Sequence, residues 1–92
     1  MTKSELLRSS ELDERYRLAQ EEDFEVGKRL TMSFVSNKLE INMGIEIFIQ
    51  ENDGTNIAYQ SNSLGIKGNW KLEDALSENF LSNNDILFLV EK

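Results

Sequence analysis

The chain has 92 residues, ten of them basic and 17 acidic, with a formal charge of −7 and a pI near 4.5. That length leaves room for a single domain, 1–92, because so short a chain buries only about 60–65% of the surface its unfolded form exposes. With no cysteine and no histidine it has no disulfide staple, no thiolate nucleophile, and neither the commonest general base nor the commonest metal ligand.

The polar start Met1-Thr2-Lys3-Ser4-Glu5 does not resemble a secretory signal, and no window approaches the roughly 18–20 apolar residues of a membrane span. The acidic balance repels phosphate backbones and anionic lipid. A cytoplasmic protein is expected, with no cofactor, no membrane contact and no direct nucleic-acid binding.

Two N-terminal signals open the chain, since Thr2 with Glu5 and Ser10 with Asp13 match a capping side chain followed three residues later by an acid. They predict a helix over 3–22, continuous or restarted at Ser9-Ser10. Leu12, Tyr16 and Ala19 supply a thin apolar stripe, and Glu11 to Arg15, Asp13 to Arg17 and Arg17 to Glu21 stand four apart. Such a helix lies against a surface with its other faces in water.

Leu39, Ile41, Met43, Ile45, Ile47 and Ile49 then occupy successive odd positions, the period of a strand with one face buried. The phase runs through Gly44 without a break. Leu30, Met32 and Phe34 alternate before it, and a turn at Ser36-Asn37 would set Phe34 opposite Leu39, Met32 opposite Ile41 and Leu30 opposite Met43. A three-residue loop Asn52-Asp53-Gly54, with Gly54 left-handed, pairs Ile49 with Ile57 and Ile47 with Tyr59. The result is an antiparallel meander over 29–35, 38–50 and 55–61.

Residues 61–68 read as a loop of serine, asparagine and glycine, and Asn69 caps a helix over 70–82 with Leu72, Ala75, Leu76 and Phe80 on one face. Asn83-Asn84 ends it. The run Asp85-Ile86-Leu87-Phe88-Leu89-Val90 is apolar without alternation, as expected of a strand covered on both faces inside the sheet. The fold class is α+β: one small domain with an antiparallel β-meander plus a C-terminal strand, an N-terminal helix, and one helix before the last strand. The order is α-β-β-β-α-β, with a four-stranded sheet.

No nucleophile elbow, phosphate-binding P-loop or calcium loop is present. Gly65-Ile66-Lys67-Gly68 is the only glycine-lysine cluster and reads as an ordinary loop. Paired carboxylates occur by chance among 17 acids, and a domain of this size has little volume for a cleft. Catalytic and metal-ligating residues are therefore not expected.

Three surface features remain as candidates. Glu21-Glu22-Asp23-Phe24-Glu25 is the densest acidic run; it is either a solvated helix end or a site where the acids meet Arg and Lys of a partner, with Phe24 as apolar anchor. Glu40, Glu46 and Phe48 belong to the outer face of the meander, which the N-terminal helix or a partner would cover. Trp70, the only tryptophan, reads as core packing.

The functional expectation is a non-catalytic protein inhibitor of immunity-protein or antitoxin type, its acids blocking a basic toxin or nucleic-acid-processing enzyme. Its partner-binding residues would be Glu21, Glu22, Asp23, Phe24, Glu25, Glu40, Glu46 and Phe48. A phage-type nucleic-acid mimic acting on a host defence enzyme is a variant of it. The alternative class is a regulatory or assembly adaptor that binds through its sheet face or by strand addition at an edge. A small homo-oligomer is compatible with either.

Overall fold

The structure, a computed structural model, describes residues 1–36, 40–42, 44–61, 63–80 and 85–92. Among them, six strands form one antiparallel sheet: β1 (Tyr16–Leu18), β2 (Arg29–Val35), β3 (Ile45–Asn52), β4 (Asn56–Gln60), β5 (Lys67–Lys71) and β6 (Asp85–Glu91). Their spatial order is β1-β6-β2-β3-β4-β5. Helix α1 (Lys3–Arg8) precedes the sheet and α2 (Leu72–Leu76) precedes β6, so the α+β class holds while the sheet gains two strands. Two short 3-10 turns, Glu11–Glu14 and Glu21–Phe24, flank β1.

Helix α1 starts as expected. Thr2 Oγ1 accepts from the Glu5 amide at 3.2 Å and the Glu5 carboxylate accepts from the Thr2 amide at 3.1 Å, a complete capping box. The helix does not reach residue 22. The Ser9 and Ser10 hydroxyls donate to the carbonyls of Leu6 and Leu7 at 2.8 and 2.7 Å, which offers the backbone an alternative to further helix. Tyr16-Arg17-Leu18 then pairs with β6, so sheet pairing overrides the helical spacing of the charges.

The first hairpin keeps Leu30, Met32, Ile45, Ile47 and Ile49 on the expected face and shifts the register by four residues. Leu30 lies opposite Ile47 and Met32 opposite Ile45, whereas Met32 was expected opposite Ile41. Ile41 instead bridges Val35 and packs with Val35, Leu87 and Leu89, on the other side of the sheet from Ile45, Ile47 and Ile49. The strand phase therefore flips near Gly44. A Cβ there would stand 2.5 Å from Ser33 Oγ and 2.6 Å from Thr31 Cγ2, so the close approach that requires glycine comes from β2, not from α1 or a partner. Phe34, expected in the buried row, is 41% exposed. The turn position Asn37 and the core positions Leu39 and Met43 lie outside the described residues.

The second hairpin has a three-residue loop, Asp53-Gly54-Thr55, one position later than expected, with Gly54 at φ 89°. Asp53 Oδ1 accepts from the amides of Thr55 and Asn56 at 2.8 and 2.7 Å and fixes the turn. Ile49 pairs with Tyr59 and Asn52 with Ile57, and an irregularity between Ile49 and Glu51 absorbs the difference. Without that bulge one of the two rows would face the wrong side.

The expected loop over 61–68 and helix over 70–82 are replaced by β5 and the shorter α2. Ile57 lies opposite Trp70 and Tyr59 opposite Gly68, and the free backbone of β4 decides for strand over the helix that Asn69 would cap. Tyr59 covers the edge glycine, where a Cβ would collide with its hydroxyl. The Asn83-Asn84 stop lies outside the described residues.

Strand β6 behaves as expected, paired on both sides by β1 and β2. Ile86 and Phe88 join Phe24, Ile47, Ile49 and Ile57 on the inner face, where Phe88 meets the rings of Phe24, Tyr59 and Trp70 edge-on at 5.4, 6.2 and 6.3 Å. Leu87 and Leu89 join Leu6, Leu7 and Val35 on the outer face. Helix α1 thus covers β6 and β2, and among the described residues no helix packs on the outer face of β3, β4 and β5.

Candidate partner-binding surface

The acidic run at 21–25 divides by role. Asp23 is buried and occupied: its carboxylate takes a two-pronged bond from Arg17 at 2.8 and 3.1 Å and a third from the Gln20 amide at 2.8 Å. The Arg17 hydrogen bond is the main cause holding its carboxyl below the ordinary range, with the Gln20 amide adding to it against burial. Phe24 is 0% exposed, so it anchors the inner core and is not presented to a partner. Glu21, Glu22 and Glu25 face solvent.

The other candidates stand elsewhere. Glu40 lies beyond the C-terminal end of β2, where its carbonyl accepts from the Ser36 amide at 3.0 Å, while the 3-10 turn of Glu21 sits by the opposite end, with Phe24 O bonded to Asn52 at 2.9 Å. Glu46 is on the outer face of β3, 3.6 Å from Arg29. Phe48, half-buried beside it, lies between Arg29 and Gln60. The eight candidates therefore do not form one surface.

What the fold does bring together is Glu21 and Glu78. Both line a cleft of about 370 Å³ between the second 3-10 turn and α2, with Gln20, Ser77 and Lys3. Lys3 is buried and turned inward, its ammonium donating to the Asp74 carbonyl at 3.2 Å and standing 3.9 Å from the Asp85 carboxylate. Burial pushes it below the ordinary lysine range, while Asp85, Asp74 and Glu78 pull it back up. Glu78 accepts from the Ser4 hydroxyl at 2.5 Å and the Ser4 amide at 3.2 Å, and the hydroxyl bond leads in holding its carboxyl below the usual range.

Sequence reasoning missed Lys3, Asp85 and Glu78. Two signals were there. Lys3 stands three and four positions before Leu6 and Leu7, on the apolar stripe of α1, and Asp85 heads an apolar run; a charge in each apolar context points to a buried pair.

A second cleft, of about 570 Å³, lies between α1 and the outer face of β2, with Ser9, Ser10, Tyr16, Thr31 and Ser33 as its hydroxyl-bearing residues. Its lining runs through Asn42 and Gly44, on either side of a residue outside the described set, and no site is assigned to it. Among the described residues no carboxylate cluster is arranged to hold a metal ion, and no helix is long and apolar enough to cross a membrane. Comparison of the chain with family models, curated proteins and solved structures gave no match.

Proposed function

We propose that the chain is a non-catalytic protein inhibitor, of immunity-protein or antitoxin type, that offers the acidic cleft between the second 3-10 turn and α2 to a basic partner. The observation that carries this reading is the excess of carboxylates over cations in the lining of that cleft. Glu21 and Glu78 line it, and Lys3, the one cation of its lining among the described residues, is spent on Asp85 and the Asp74 carbonyl. Only Asp23, Glu46 and Asp85 of the 17 carboxylates reach a cation within an ion-pair distance among the described residues. Acids in excess of cations raise the encounter rate with a basic surface and set its salt dependence. The nucleic-acid mimic is not favoured, since it needs acids in a continuous row and Glu40 and Glu46 stand apart from the cleft.

The test uses a partner that co-purifies with the tagged chain, followed by association kinetics across a salt series. Replacing Glu21, Glu22 and Glu25 by glutamine should slow association and flatten its salt dependence. The control replaces Glu11, Glu14 and Glu51, exposed residues elsewhere on the molecule. The triple Glu73, Asp74 and Glu78 cannot serve as the control, because Glu78 shares the cleft with Glu21. Equal loss from both triples would reduce the effect to net charge and end the site assignment.

A further inference from the structure

Strand β5 ends the sheet, and among the described residues no strand pairs with its outer edge. It pairs with β4 without a break from Lys67 to Lys71, so no bulge turns the edge away, and the chain contains no proline to block it. The polarity of the edge follows from two bonds. Ser61 N donates to Ile66 O at 2.7 Å and Leu72 N to Thr55 O at 2.8 Å, which makes 61/66 and 55/72 hydrogen-bonded pairs. By the alternation of an antiparallel ladder, Gly68 and Trp70 also turn their backbone groups to β4. Those of Lys67 and Asn69, and the amide of Lys71, point away from the sheet.

The side chains of the same three residues are exposed, and neither lysine reaches a carboxylate among the described residues. The edge is therefore a cationic strip on an acidic protein. A second copy of β5 is a poor occupant. Two-fold antiparallel pairing about Asn69 would set Lys67 opposite Lys71 of the other copy twice over, and like charges directly opposite are destabilising. The charges that exclude self-pairing select for carboxylates. The apolar side of the strip fits the same occupant, because Ile66 is 40% exposed, Leu64 beside it is 60% exposed, and Trp70 is half-buried.

We infer that β5 is a docking edge for an extended segment of a partner protein whose side chains alternate between acidic and apolar. The segment adds as a seventh strand, its backbone bonding Lys67, Asn69 and Lys71, its carboxylates meeting the two ammoniums and its apolar side lying along Ile66 and Trp70. This edge is separate from the acidic cleft and does not depend on what binds there.

The test is an NMR titration of the full ¹⁵N-labelled chain with a short blocked peptide of alternating glutamate and valine. The expected result is slowed amide exchange at Lys67, Asn69 and Lys71, with Gly68 and Trp70 unchanged because their amides already bond to β4. The same peptide with lysine for glutamate should bind about tenfold or more weakly, two opposite-charge cross-strand pairs being exchanged for like-charge ones. Asn69→Pro removes an outward amide without touching the β4 ladder and should abolish binding at an unchanged melting temperature. If that variant unfolds, Lys67→Glu with Lys71→Glu should reverse the preference to the lysine peptide. Equal binding of both peptides, protection at other sites, or concentration-dependent protection of the edge without peptide would overturn the inference. Loss of binding in the Glu21, Glu22 and Glu25 variant would also count against it, since that would place the peptide at the other surface.

Discussion

The two halves of the sheet are finished differently. Strands β6 and β2 place side chains in both the inner core around Phe24 and Phe88 and the outer one with Leu6 and Leu7 of α1, which Tyr16 and Leu18 of β1 also join. Strands β3, β4 and β5 share the inner core and, among the described residues, leave an outer face and one edge uncovered, with Glu46, Gln50 and Glu51 on β3 and Lys67, Asn69 and Lys71 on β5 exposed. In the first half most side chains of β2 and β6 are buried. The second half carries surface that stability does not require, and the open edge belongs to it.

The largest expected contrast sets one phenylalanine against another. Phe24→Ala in the inner core should cost about 3–5 kcal/mol, as large-to-small changes of buried aromatics do. Phe48→Ala, on the open outer face, should cost about 1 kcal/mol or less. Urea unfolding of both variants measures the difference, and equal costs would mean that the outer face of β3 is covered after all.

Gly44 marks the boundary between the halves and gives an intermediate effect. Gly44→Ala puts a methyl against Ser33 Oγ and Thr31 Cγ2 and should cost about 1–3 kcal/mol as overpacking. Adding Ser33→Gly should recover part of that loss in the same unfolding experiment, whereas purely additive losses would show that backbone conformation, not crowding, is the cause.

The smallest effect is electrostatic. Asp23 and Glu78 both have carboxyls lowered by their hydrogen bonds to Arg17 and Ser4. A carboxyl lowered on folding contributes stability that is present above its unfolded value and is lost as pH falls through its folded value. Melting temperature should therefore fall on acidification through and below the ordinary carboxylate range. Asp23→Asn should start lower at neutral pH and show a shallower acid decline. An unchanged acid slope would mean that the Arg17 pair is not linked to unfolding.

Legibility in the sequence followed the range of the physics involved. The Thr2-Glu5 box, the left-handed Gly54 and the apolar run of β6 rest on local chemistry or on burial, and each was readable. The face assignments of Leu30, Met32, Ile45, Ile47 and Ile49 were readable because period two does not depend on the partner. Register was not, since the change of phase near Gly44 and the bulge after Ile49 shift pairing without altering the visible pattern. β1 and β5 were misread because Tyr16-Arg17-Leu18 and Lys67–Lys71 become strands only by docking on β6 and β4. At the candidate surface the exposure of Glu21 and Glu22 could be foreseen. The burial of Phe24 was one of two readings of the same five residues, and the meeting of Glu21 with Glu78 depends on how α2 crosses the sheet.

The place of β6 also bears on how the protein is made. β6 lies between β1 and β2, so two strands from the first 35 residues of the chain have no bridge between them until the ribosome has produced residues 85–91. Both cores draw on that strand, through Ile86 and Phe88 on one side and Leu87 and Leu89 on the other. Domains generally fold as units during synthesis, and pairings distant in sequence form slowly. A nascent chain halted before Asp85 would therefore hold two open strand edges and two half-built apolar layers, the state in which chaperones and proteases meet it.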